Sequence, residues 1–102
     1  MLVQVAMFPT DNAGGSVSAD VAKVVDLIDK SGLPYKLTAM STILEGSWGP
    51  IMTLLDKARR VLQRRHSRVY MVITVDDRKG AKNRLAGKVA SVQRRLRRSV
   101  RT

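Results

Sequence analysis

Cysteine is absent from this chain of 102 residues, which removes disulfides, thiolate nucleophiles and the usual zinc clusters together. Histidine occurs once, as His66, and a lone imidazole builds no metal site unless carboxylates converge on it. The expectation is therefore no metal and no cofactor. No stretch approaches the ~18 consecutive apolar residues of a membrane span. The N-terminal run MLVQVAMFPTD has no basic region before it and no small-residue cleavage site, so it reads as a first strand and not as a signal peptide. A cytoplasmic protein without membrane association is expected.

Acidic residues are also scarce, and unevenly so. Residues 82–102 hold eight of the nineteen Lys and Arg residues and no acid, which leaves eleven bases against eight acids, or +3, in residues 1–81. The body is nearly balanced and the C-terminus is the basic object. The apolar fraction of 44% is ordinary for a globular protein. The length suits one domain over residues 1–102, which by itself buries only roughly 60–70% of its unfolded surface.

Residues 2–9 are apolar on both alternating faces, as in a central strand. The turn-rich Asn12-Ala13-Gly14-Gly15 precedes Ser16 and Ser18, either of which can cap the next helix. In that helix Val17, Val21, Val24, Val25 and Ile28 form one stripe. Ser31-Gly32 and Pro34 stop it. Residues 35–46 read as two short strands joined near Met40-Ser41. Pro50 suits the first turn of a second helix, with Ile51, Leu54, Leu55, Ala58, Val61 and Leu62 on its buried face. Residues 68–75 give the clearest strand signal. From about residue 82 to 100 the helical period returns as Leu85, Val89, Val92, Leu96 and Val100. The order predicts an α+β, ferredoxin-like βαββαβ sandwich with an added C-terminal helix. Both faces of its sheet are apolar where one solvated face would be half polar. The second face must be hidden by the terminal helix, by another subunit, or by both, and a homo-oligomer, dimer or tetramer, is expected.

No catalytic constellation stands out, so no enzyme is expected and no catalytic residue is assigned. Asp76 and Asp77 point to opposite faces if the strand continues, and they read as a turn pairing with Arg78 or Lys79. His66 follows Arg64-Arg65 at a helix end, a capping or solvated position. The loop through Ser16 could offer backbone N–H groups to an anion, or could be a plain turn with a serine cap. Glu45 is the oddest residue, a carboxylate in an otherwise apolar strand. It must be paired or hydrogen-bonded to be tolerated, either with an arginine or with a ligand. The basic C-terminal helix could attract nucleic acid or another polyanion through its charges. No aromatic is interleaved with those charges to stack bases, and the regular apolar stripe suggests docking on the body with the charges outward.

Several stretches together are similar to the small thiamine-binding protein family. They are Ser16-Val17-Ser18 with Val21-Ala22, the run from Ser31 through Thr38-Ala39-Met40-Ser41-Thr42 to Glu45-Gly46 with Trp48, Val69-Tyr70 to Arg78, and Gly87 to Val92 with Leu96. The resemblance implies a ferredoxin-like subunit, dimers assembled into tetramers, and non-catalytic binding of thiamine or its hydroxymethylpyrimidine moiety in transport, salvage or sensing. It places candidate ligand-binding residues at Ser16, Ser18, Thr38, Met40, Thr42, Glu45 and Trp48. Hydroxyls and a carboxylate complement an aminopyrimidine's donors and acceptors, and Met40 and Trp48 could sandwich its ring. Relatives commonly carry Pro-Met-Gly where this chain has Ala39-Met40-Ser41, and its basic tail is stronger than the family pattern.

Overall fold

Strict alternation in the first strand sets the two faces of the sheet. In the computed structural model, which describes residues 1–11 and 16–102, β1 spans Leu2–Pro9 and buries Val3, Val5, Met7 and Pro9 on one face. The loop residues Asn12 to Gly15 lie outside the described part. Ser16 Oγ accepts the Ser18 N–H at 3.2 Å where helix α1 begins, and α1 runs Ser18–Lys30. Gly32, at φ 77°, takes the left-handed turn that ends it. Strands β2 (Tyr35–Leu37) and β3 (Thr42–Glu45) follow, then α2 (Trp48–Gln63), β4 (Val69–Asp76) and α3 (Arg84–Leu96).

The four strands form one antiparallel sheet in the order β2-β3-β1-β4, the ferredoxin-like arrangement. Helices α1 and α2 lie on the Val3 face. Val24 and Ile28 from α1 and Ile51, Leu54, Leu55, Ala58 and Leu62 from α2 close the core over Val3, Val5, Met7 and Leu44. Gly46 lets β3 enter α2, because a Cβ there would sit 3.2 Å from Leu33 and 3.4 Å from Ile51. No helix among the described residues is long and apolar enough to cross a membrane.

Two features differ from the sequence expectation. The terminal helix stops at Leu96 instead of continuing to Val100. Arg97 turns left-handed at φ 57°, and the Arg97 and Arg98 N–H groups close back on the Arg94 and Gln93 carbonyls. Within one chain α3 covers the sheet's second face only in part: it docks on β3 through Glu45, but none of its residues is buried, and Val89, Val92 and Leu96 stay exposed. Strand β4 is an edge with Tyr70 48% and Val72 49% exposed, and Met71, Ile73 and Val75 are open on its other face.

Candidate functional site

Unequal strand lengths open a groove. β1 is paired with β4 along its whole length but with β3 only from Leu2 to Val5, because β3 begins at Thr42. Beyond that point the chain is turning through Thr38–Ser41, a tight turn closed by the Thr38 N–H donating to the Ser41 carbonyl at 2.8 Å. The space left between β1, α1 and this turn is a groove of about 140 Å³. Met7, Val21, Val24 and Val25 line it on one side, and Leu37 to Thr42 on the other. Drug-sized pockets begin at roughly 300 Å³, so this groove suits a single ring. A second, shallower groove runs along α1, sharing Val21, Val25 and Leu37 with the first and adding Ser18, Asp26 and Asp29.

The structure brings some of the candidate residues together and separates others. Thr38, Met40 and Thr42 line the ring-sized groove, and Ser18 lines its neighbour. Met40 is 86% exposed at the rim, whereas Thr42 is buried. The Thr38 hydroxyl donates to the Ser41 carbonyl at 3.0 Å and accepts the N–H groups of Met40 and Ser41, so it organises the turn. Ser16 contacts Ser18 hydroxyl to hydroxyl at 3.0 Å. Glu45 and Trp48 stand at the other end of β3, Trp48 being 61% exposed at the start of α2.

Glu45 has a partner that sequence reading did not foresee. Its carboxylate accepts the backbone N–H groups of Arg84 at 2.8 Å and Leu85 at 3.1 Å, the first free donors of α3. Burial pushes this carboxyl up, but the two N–H donors, the N-terminal ammonium and Arg84 together hold it below the usual carboxylate range. The sequence left an arginine side chain or a ligand as the partner; here the donors are main-chain N–H groups, one of them an arginine's. Asp76 adds a second tether to α3, through Lys88 at 2.7 Å and Arg84 at 3.2 Å.

His66 is neither a cap nor a solvated side chain. Its Nδ1 lies 2.9 Å from Asp11 and its Nε2 2.9 Å from Asp20. Asp11 in turn accepts the Ser67 N–H and hydroxyl. The Asp20 bond, opposed by burial and aided by Asp11, raises the imidazole above its ordinary value, which favours the imidazolium form that can donate to both carboxylates. Asp11 is held below the usual range, first by the Ser67 N–H. This bridge ties the exit of β1 and the α2–β4 junction to the first turn of α1. These partners are separated by 46 and 55 residues, so no local pattern announces them.

At the opposite edge, Arg78, Lys79, Lys82, Arg84, Lys88 and Arg94 surround an open basin of about 560 Å³ at the start of α3.

A small ferredoxin-like subunit with a ring-sized groove beside α1 defines a class of ligand-binding domain. Comparison with known proteins specifies it: residues 3–93 match the family model for thiamine-binding protein, and the chain belongs to that family. It is 36% identical over 84 residues to a UPF0045 protein of Mycobacterium bovis, covering 81% of this chain and 82% of the relative. A UPF0045 protein of Methanothermobacter thermautotrophicus is 30% identical over 95 residues, covering 91% and 96%. Among solved structures, a hypothetical protein of Methanocaldococcus jannaschii aligns with a TM-score of 0.81 at 27% identity, over 89% of this chain and 93% of that one. A Thermotoga maritima protein, provisionally described as a thiamine biosynthesis/salvage protein, aligns with a TM-score of 0.79 at 20% identity, over 89% and 96%. At that identity the likeness speaks for the fold alone.

Proposed function

We propose that the chain binds thiamine or its hydroxymethylpyrimidine moiety without transforming it, as a homo-oligomer. The observation that carries this is the groove left where β3 stops at Thr42, a single-ring space in a member of the thiamine-binding family. In this proposal the pyrimidine enters between Met7, Val21 and Thr42, with Met40 folding over it from the rim. Ser16 and Ser18 flank the entrance. The thiazolium cation extends into the neighbouring groove, where Asp29 and Asp26, the latter paired with Lys30, supply carboxylates in a strongly basic chain. Glu45 and Trp48, at the far end of β3, fall outside this pocket within one subunit.

Self-association is proposed from β4. An eight-residue edge strand with apolar residues open on both faces is an unusual surface for a lone subunit. Calorimetry with thiamine, hydroxymethylpyrimidine and thiamine phosphates tests the ligand, and sedimentation tests the assembly. Absence of heat with all of these compounds at millimolar concentration, with the protein folded, would remove the ligand proposal.

One observation favours a second function, polyanion binding at the basic basin beside α3. It requires DNA or RNA affinity that falls steeply with salt, and affinity indifferent to salt would end it.

A further inference from the structure

We infer that the main chain of Met7 reads the ring edge of the ligand, an inference that rests on the proposed aminopyrimidine binding. In an antiparallel ladder, successive residues direct their N–H and C=O groups to one neighbouring strand and then to the other. Three hydrogen bonds fix which residues of β1 face which way. On the β3 side, the Gly46 N–H donates to the Met1 carbonyl at 3.1 Å, and the Met1 ammonium donates to the Gly46 carbonyl at 2.9 Å. On the β4 side, the Thr10 N–H donates to the Arg68 carbonyl at 3.1 Å. Odd-numbered residues of β1 therefore address β3, and even-numbered residues address β4.

Val3 and Val5 find their partners opposite Leu44 and Thr42. Met7 is next in the series, and the register would set it opposite Met40. By then the chain has left the ladder, and the Met40 N–H turns back to the Thr38 hydroxyl at 3.3 Å. The Met7 N–H and C=O thus face the groove that Met7 itself lines, while its side chain is buried in the core. A strand edge of one donor and one acceptor, closed off from bulk water on several sides, is costly to leave unpaired.

The ligand edge it fits carries an acceptor nitrogen beside a donor amine. A 4-aminopyrimidine has that edge: the ring nitrogen accepts from the Met7 N–H, and the exocyclic amine donates to the Met7 carbonyl. A 4-oxopyrimidine reverses the two roles. Restoring the match by flipping the ring would swing its thiazolium substituent away from Asp26 and Asp29. The main chain here acts as a selectivity filter that no side-chain substitution displays.

The test uses the unmodified protein and two probes, thiamine and oxythiamine, which differ by this amino-to-oxo exchange. Oxythiamine is expected to bind roughly 10- to 100-fold more weakly. In ¹⁵N-labelled protein the Met7 amide proton should move downfield on saturation with thiamine. Equal affinity for the two probes, or a Met7 amide that does not move at thiamine saturation, overturns the role of Met7 and leaves the binding function standing. Failure of thiamine and hydroxymethylpyrimidine alike to bind ends both.

Discussion

The two ends of β3 are built on opposite plans. At the Glu45 end the carboxylate closes on the α3 N–H groups, and Gly46 pairs with Met1. At the Thr42 end the ladder stops early and leaves a groove whose walls are largely apolar. The strand is only four residues long, so structural closure and an open site lie within about 15 Å of each other. The Glu45 end positions a helix, and the Thr42 end is the one to which we assign the guest.

That contrast can be broken most severely from the middle. Leu44 is fully buried between the two ends, and Leu44→Ala should destabilise the fold by about 2–5 kcal/mol in denaturant unfolding. A smaller loss would mean that the β3 face is less tightly packed than its burial indicates. Glu45→Ala should cost about 1–3 kcal/mol by releasing the charge-assisted bonds at the start of α3. Faster hydrogen exchange should appear at the Arg84 and Leu85 amides, with thiamine affinity unchanged. A large loss of affinity in Glu45→Ala would abolish the division of labour between the ends. Thr42→Val keeps the side-chain shape but deletes the hydroxyl, and since Thr42 pairs with β1 through its main chain the fold should remain intact. Thiamine affinity should fall several-fold, and unchanged affinity would place the ring elsewhere.

How far the sequence foretold these two ends follows from where their information resides. The strand and helix order was legible, because alternation and helical spacing are local, and the joint near Met40-Ser41 fell inside the observed turn. The groove was not, since it exists only because β3 is shorter than β1, a difference of pairing that residues 35–46 do not display. Glu45 stood out as a carboxylate needing a partner, but backbone donors belong to every residue and mark no position. His66 was misread because its two carboxylates are remote in sequence. The α3 stripe continues in pattern to Val100, yet the helix ends at Leu96. Val100 is instead held by its N–H donating to the Gln93 side chain at 3.0 Å.

The smallest expected effect is one of pH, and it should separate the two ends. The groove end is tied by His66 between Asp11 and Asp20, and its imidazole titrates above the ordinary value. A raised folded pKa gives stability that is complete below the unfolded value near 6.5 and is lost as pH rises through the folded value. The Glu45 end behaves oppositely: its lowered carboxyl gives stability present above the unfolded value near 4.5 and lost as pH falls through the folded one. Alkaline conditions should therefore loosen the first turn of α1 beside the groove while α3 stays docked, whereas acid should loosen α3 and, through Asp11, weaken the bridge as well. Amide exchange followed by NMR from pH 3 to pH 9, with intrinsic rates corrected, resolves the two sites in one sample. His66→Gln should remove the alkaline loosening at α1 and leave the α3 amides untouched. If α1 in that variant still loosened with rising pH as in the parent, the Asp11–His66–Asp20 bridge would not be what holds the open end of the sheet.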